Sequence, residues 1–336
     1  MLRIDLAEYE LSERLGTGTV GTIFLARKKD TDDVFAVKFL SPAVSSNELI
    51  VSRFTREMLI LEKLSHPNIL AYFGGGKQDG QLFYVMEYVR GGTLKDLLQK
   101  SGPLTWREVA ESARQVSAAL QHAHNHGIIH RDLKPGNVFV TESGHLKLGD
   151  FGIARDTHSA DLTEAGLTVG TYSYMAPELV RGERAITGQV DLYALGCLIF
   201  ELLTGKPPYQ GDNFAQIFDQ HLNATPPSVR DYGVECPPEL DDLVKQLLAK
   251  DPQERPFNAR SVQGLLSHLL DPDDQLAGAE ASGNDRRAHE VSPARQMLSA
   301  RVSEQFVVRQ EVSWTKLVWC MIAIAAIVCV ALIANR

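Results

Sequence analysis

The run His130-Arg131-Asp132-Leu133-Lys134-Pro135-Gly136-Asn137, followed by Asp150-Phe151-Gly152, constrains this chain more than any other feature of its sequence. Asp132, Asn137 and Asp150 set two carboxylates and one amide within nineteen positions, on two loops. Metal-assisted phosphoryl transfer calls for that set: a base for an incoming hydroxyl and hard oxygen ligands for Mg2+. Asp150-Phe151-Gly152 alone arises often by chance. Behind the longer run at this spacing, it does not.

Two motifs upstream are weaker alone. Gly16-Thr17-Gly18-Thr19-Val20-Gly21-Thr22-Ile23 is a glycine loop, able to bring backbone N–H groups close to phosphates. The dinucleotide fold uses the same glycine spacing, but there a helix follows the last glycine. Here Ile23-Phe24-Leu25-Ala26 reads as a strand, so the loop is expected to be a hairpin lying over phosphates. Next comes Phe35-Ala36-Val37-Lys38-Phe39, a lysine inside an apolar strand, costly unless paired. A snorkelling surface lysine is the bland alternative. The natural partner is Glu57, in the helix that follows.

The patterning predicts a small β-rich part and then a helical part, an α+β arrangement. Tyr9–Leu15, Thr22–Lys28, Val34–Leu40 and Leu82–Tyr88 read as strands, and 47–64 as a helix ended near His66-Pro67. Val109, Ala113, Val116, Leu120 and Ala123 mark one apolar helix face, and Thr105 with Glu108 forms a capping box at its start. Residues 9–270 make one patterned block. Residues 271–316 are polar and broken by Pro272, Gly278, Gly283 and Pro293, so they read as a linker, partly helical near Arg295–Val308.

With these residues in this order, the first block resembles a eukaryotic-type serine/threonine protein kinase, most closely a bacterial membrane-anchored member. The resemblance implies the bilobal kinase fold, ATP and Mg2+ as cofactors, and protein substrates. It makes Asp132 the residue that accepts the substrate hydroxyl proton and Lys134 the one that offsets charge on the transferred group. Lys38 would bind the α- and β-phosphates, held by Glu57. Asn137 and Asp150 would hold Mg2+. Leu15, Gly16, Thr17, Gly18, Thr19, Val20, Gly21, Thr22 and Ile23 would cover the nucleotide, with Ala36, Met86, Glu87 and Val89 forming the adenine slot and hinge. Lys134, and Gly170-Thr171 ahead of Ala176-Pro177-Glu178, fit the Ser/Thr type. Glu178 would pair with a buried Arg255, and Asp191 would tie down the backbone before Asp132. Gly136 and Gly149 are small residues at which the two loops are expected to loosen slightly. Arg131 would receive an activation-loop phosphate, with Thr163 and Thr168 favoured over Thr157 and Ser159; the alternative is that these are only solvated hydroxyls. A scaffold without phosphoryl transfer is the second functional reading, but its usual sign, a lost residue at Lys38, in His130-Arg131-Asp132 or in Asp150-Phe151-Gly152, is missing. A small-molecule phosphotransferase is disfavoured by the segments around Glu178, Asp191 and Arg255.

Charge and the C-terminus supply the rest. Lys plus Arg total 34 against 42 Asp plus Glu, and a net charge of −8 argues against nucleic acid as a partner. Four cysteines are too few for a disulfide framework. No leader peptide is read at the N-terminus. Leu317–Ala334 carries no charge. As a helix it would cover about 27 Å, enough for a bilayer core, with a buried core helix as the alternative. The expectation is one transmembrane helix at the cell membrane with the kinase block in the cytoplasm, no sensor domain beyond it, and a possible homodimer for trans-autophosphorylation. Arg301, Arg309 and Lys316 before the span, against Arg336 after it, agree with that orientation.

Overall fold

The computed structural model describes residues 4–18, 21–46, 51–52, 54, 58, 61–62, 64–151, 172–270 and 292–304. Five antiparallel strands form the upper sheet: β1 (Tyr9–Thr17), β2 (Gly21–Lys28), β3 (Val34–Leu40), β4 (Tyr72–Gln78) and β5 (Gln81–Glu87), in the order β1-β2-β3-β5-β4. Side chains alternate across a strand, and the sheet uses both faces. Val37, Phe83 and Val85 join Tyr9 and Ala26 in a small outer cluster. Ala36, Leu40, Tyr84 and Met86 face the other way, into the main core. A short helix α1 (Pro42–Ser46) follows β3, and helical residues around Phe54, Met58 and Leu61 bury their side chains beneath the sheet.

Strand β4 is the element the sequence pattern concealed, because Gly74-Gly75-Gly76 looks like a loop. The glycines are there for close approach. A Cβ on Gly75 would lie 2.3 Å from the Phe83 carbonyl oxygen, and one on Gly76 would press on the Phe83 ring. Gly74, at φ 119°, sits at the register shift where β4 bulges against β5.

The lower part is helical: α2 (Leu94–Ser101), α3 (Trp106–Asn125), α4 (Pro177–Val180), α5 (Gln189–Thr204), α6 (Phe214–Asn223), α7 (Pro238–Leu247) and α8 (Ala259–Leu270), with a two-stranded ribbon β6 (Val138–Val140) and β7 (Leu146–Leu148). The Thr105–Glu108 capping box forms as expected, and Val109, Ala113, Val116, Leu120 and Ala123 are all buried. Helix α5 is apolar on nearly every side because it is the central post of this lobe. It stops at Gly205, whose left-handed backbone (φ 79°) closes the last turn. Residues 293–304 form a further helix, α9, packed on this lobe; Ser292 caps it and Pro293 opens it. The helix expected near Arg295–Val308 therefore exists through residue 304, and its remainder lies outside the described residues. So does Leu317–Ala334. Among the described residues, no helix is long and apolar enough to cross a membrane.

His221 of α6 gives this lobe a measurable acid response. It is buried, shares a 2.8 Å hydrogen bond with the Tyr193 hydroxyl, and is lowered to about 3 by burial and then by nearby Lys250. The unfolded chain binds a proton at His221 near pH 6.5 and the folded chain does not, so stability is complete above that pH and falls as pH drops from 6.5 toward 3. The expected slope from this one site is up to about 1.4 kcal/mol per pH unit. Urea unfolding at pH 7.5, 6 and 5 should show it, and His221→Asn should flatten the slope; equal slopes would remove His221 as the cause.

Candidate active site

The sheet's register assembles the upper wall of the cleft. Ala36 lies opposite Met86, and Lys38 opposite Tyr84 on one side and Ile23 on the other. Ala36 and Met86 are both buried and face the main core. Glu87 is held from two sides: its carboxylate accepts from the Ala71 N–H at 3.2 Å and pairs with Lys147 at 2.9 Å. Val89 packs on the core just beyond.

The glycine loop is a hairpin and runs into a strand, as the sequence indicates. Thr17 pairs with Thr22, and Gly16 with Ile23; the Gly18 N–H donates to the Gly21 carbonyl at 2.9 Å. The glycines differ in purpose. Gly21 is needed by the fold, since a Cβ there would lie 1.9 Å from the Phe39 carbonyl oxygen. A Cβ at Gly16 would touch nothing within 4 Å, and one at Gly18 only the Gly21 oxygen at 4.0 Å. Among the described residues nothing requires glycine at those two positions for space, and this fits a loop whose backbone has to approach a ligand. Thr19 and Val20 lie outside the described residues.

Lys38 meets Asp150 across the cleft, Nζ to Oδ1 at 2.6 Å, with 12% and 19% of the side chains exposed. The Tyr84 hydroxyl donates to the same oxygen at 3.0 Å, and the Asp150 N–H donates to the Tyr72 hydroxyl at 3.1 Å. Burial pushes the Asp150 carboxyl up, but Lys38, Tyr84 and Lys134 outweigh it and hold the group below its ordinary range, fully ionised near neutrality. Asp150 has φ 51° and Arg131 φ 62°, left-handed values that non-glycine residues rarely adopt and that cluster at functional sites. Glu57 lies outside the described residues, so the partner displayed by Lys38 is Asp150.

The lower wall is the loop around Asp132. Lys134 Nζ reaches Asp132 Oδ2 at 3.0 Å, and the Asn137 amide donates to the Asp132 carbonyl at 2.7 Å and to Oδ2 at 3.0 Å. With both of those N–H bonds directed at Asp132, the amide oxygen is what Asn137 has for a cation. Asn137 and Asp150 together are a hard, all-oxygen donor pair, a fit for Mg2+, which takes one or two protein ligands and completes its shell with phosphates and water. Among the described residues no group of three or more His, Cys, Asp or Glu side chains could cage a metal alone.

The loop is hung from buried Asp191 of α5. Its carboxylate accepts from the His130 and Arg131 N–H groups at 2.9 and 2.8 Å, and lies 2.7 Å from His124 Nε2. Burial raises the Asp191 carboxyl, and the bonds from His124 and His130 more than reverse that, so it stays ionised. His130 spans to the next loop. The Asp132 N–H donates to its Nδ1 at 3.2 Å, so its Nε2–H donates to the Gly149 carbonyl at 2.9 Å. Burial holds that ring below its ordinary pKa and neutral, as this tautomer requires.

Gly149 is therefore not the loosening element expected from its size. A Cβ there would lie 2.3 Å from Leu70 Cδ1 and 3.0 Å from the Phe139 ring, while Gly136 meets only the Lys95 stem at 3.8 Å. Gly149→Ala should cost about 1–3 kcal/mol by overpacking and displace Asp150. Gly136→Ala should cost well under 1 kcal/mol. Paired urea titrations would check this, and equal effects would contradict the packing account.

The structure brings Lys38, Asp132, Lys134, Asn137 and Asp150 together. Sequence reasoning missed Tyr72, Tyr84 and His124, which orient Asp150 and Asp191. Only Tyr84 left a trace, facing Lys38 across two paired strands. It also missed Tyr174, whose hydroxyl donates to Glu201 of α5. Thr157, Ser159, Thr163, Thr168, Gly170 and Thr171 lie outside the described residues. The Arg131 Nε is buried and has no hydrogen-bond partner among the described residues.

Comparison with known proteins gives the family. The protein kinase domain model matches residues 9–268. The serine/threonine-protein kinase PrkC of Bacillus subtilis is 34% identical over 79% of this chain and 41% of its own length. The serine/threonine-protein kinase pkn3 of Myxococcus xanthus is 35% identical over 88% of this chain and 53% of its own. The crystal structure of the Mycobacterium tuberculosis PknI kinase domain superposes with a TM-score of 0.62 at 29% identity, covering 78% of this chain and 96% of that one. The chain thus spans about two fifths of PrkC and half of pkn3. Matched by the protein kinase domain model over residues 9–268, and superposing on a solved kinase domain, this chain belongs to the protein kinase family.

Proposed function

We propose that this chain is a serine/threonine protein kinase that transfers the γ-phosphate of ATP to protein hydroxyls. The observation that carries the reading is the convergence of Lys38 and Asp150 with Asp132, Lys134 and Asn137 on one cleft. Asp132 accepts the proton of the incoming hydroxyl as its oxygen attacks the γ-phosphorus and the bond to the bridging oxygen breaks, releasing ADP. Lys134 offsets charge on the moving phosphoryl group. Lys38 grips the α- and β-phosphates and is held by Glu57. Leu15 to Ile23 cover the phosphates; Ala36 and Met86 flank the base, and Glu87 and Val89 provide the hinge backbone. Asn137 and Asp150 would hold Mg2+, which would supply charge neutralisation at the phosphates. Retention of all these groups disfavours a scaffold without transfer.

The sequence supports three further parts of the proposal. Residues 9–270 are the catalytic domain, 271–316 join it to an apolar segment, and 317–334 cross the cell membrane once with the kinase on the cytoplasmic side. Arg131, with its buried Nε, receives a phosphate placed on Thr163 or Thr168. Anchored neighbours, as transient homodimers, phosphorylate each other's loops. Phosphoamino-acid analysis of a mixed protein substrate tests the specificity. Phosphoserine and phosphothreonine without phosphotyrosine are expected; phosphotyrosine as the main product would overturn it.

A further inference from the structure

Helix α9 lies beyond the matched domain, inside the stretch whose composition reads as a linker, yet it is built into the helical lobe. Ala294, Leu298 and Val302 recur every fourth residue and are buried; Leu298 and Val302 belong to the main core. Arg301 closes on Glu108 with two bonds, Nε to Oε1 at 2.5 Å and Nη2 to Oε2 at 3.1 Å, and Glu108 is only 1% exposed. Arg301 Nη1 also donates to the Ser101 carbonyl at 3.4 Å. One side chain thus joins the end of α2 to the capping box of α3. Elsewhere on α9, the Ser299 hydroxyl donates to the Glu142 carbonyl at 2.6 Å, and Arg295 Nε to the Ser143 carbonyl at 3.2 Å.

The lobe is shaped to receive it. Gly144, at φ 74°, leaves room where a Cβ would lie 2.4 Å from the Arg295 carbonyl oxygen. Gly91, just past the hinge, is glycine first because a Cβ would lie 1.9 Å from the Val140 carbonyl oxygen, and Val302 Cγ1 packs over the same point at 3.2 Å. The contacts run from the hinge exit to the β6–β7 turn.

We propose that residues 292–304 are a cis-docked strap: an interaction surface of the kinase lobe whose occupant is this chain's own segment. The strap carries the folded lobe from Leu270 on to at least residue 304. Its consequence for reach rests on the membrane reading of 317–334; the docking does not. If the fold ended at Leu270, residues 271–316 would allow up to about 160 Å between lobe and apolar segment. With the strap seated, residues 305–316 allow at most about 45 Å. The strap holds the catalytic lobe near the bilayer surface, and its release is a way to lengthen the leash.

Hydrogen exchange on the full chain tests the docking without using activity. A free helix of this length is marginal in water, so protection of residues 297–304 reports docking. Protection independent of protein concentration is expected. Leu298→Asp should speed exchange there at least a hundredfold while α5 keeps its protection, which shows that the lobe stays folded. Arg301→Glu, which leaves the apolar stripe intact, should speed it about tenfold. Exchange in the unmutated chain at unstructured rates would overturn the proposal. So would protection lost on dilution, because the strap would then be traded between copies. No effect from either substitution would overturn it as well.

Discussion

Arg255→Ala is expected to lower the unfolding free energy by about 3–5 kcal/mol, the cost of leaving a buried charge without its partner. The pair is bidentate, Nη1 to Glu178 Oε1 at 2.7 Å and Nη2 to Oε2 at 2.9 Å, and the Arg255 side chain is wholly buried. Arg255 also donates to the Ala249 carbonyl at 3.0 Å and the Gln189 carbonyl at 2.8 Å, and its guanidinium lies 4.9 Å from the Tyr193 ring centroid. Those bonds tie α4, the start of α5 and the segment after α7 into one block. The cost arises mainly from the orphaned Glu178 carboxylate, so removing both charges should cost less than the two single losses summed. Urea titrations of Arg255→Met, Glu178→Leu and the double variant, with unchanged m-values, would show this. Additive losses would mean that the main-chain bonds, rather than the ion pair, dominate.

Asp132→Asn is expected to slow phosphoryl transfer by about 10²–10⁴, the range that a positioned general base supplies. ATP affinity should barely change, because Asp132 touches Lys134 and Asn137 while Lys38 and Asp150 hold the other wall. The fold should survive, since the loop hangs from Asp191 through the main chain of His130 and Arg131. Single-turnover rates beside a nucleotide-binding isotherm separate the two effects. A loss below tenfold would remove Asp132 as the base. A parallel loss of ATP binding would make its role structural.

Most of the site was legible because its chemistry is written in short, ordered runs. Residues that act through charge at fixed spacing, such as Lys38, Asp132, Lys134, Asn137 and Asp150, could be named before any fold was known. Positions that act by shape were harder. Gly149 looks like slack in the sequence and is a close-packed contact in three dimensions. Strand β4 hid behind three glycines whose reason lies in the neighbouring strand. Tyr72 and His124 reach their partners only after the chain has folded back, Tyr72 to Asp150 and His124 to Asp191. Helix α9 was expected near Arg295–Val308, but its packing on the lobe was not: the four-residue spacing of Ala294, Leu298 and Val302 lies in a polar stretch whose composition reads as a linker.

The most direct test of the central claim is transfer of labelled γ-phosphate by the full chain, with and without Mg2+, beside Asp150→Asn. The account predicts label on serine or threonine only in the unmutated protein and only with Mg2+. Bound ATP with no label transferred under any of these conditions, or equal labelling by Asp150→Asn, would contradict it.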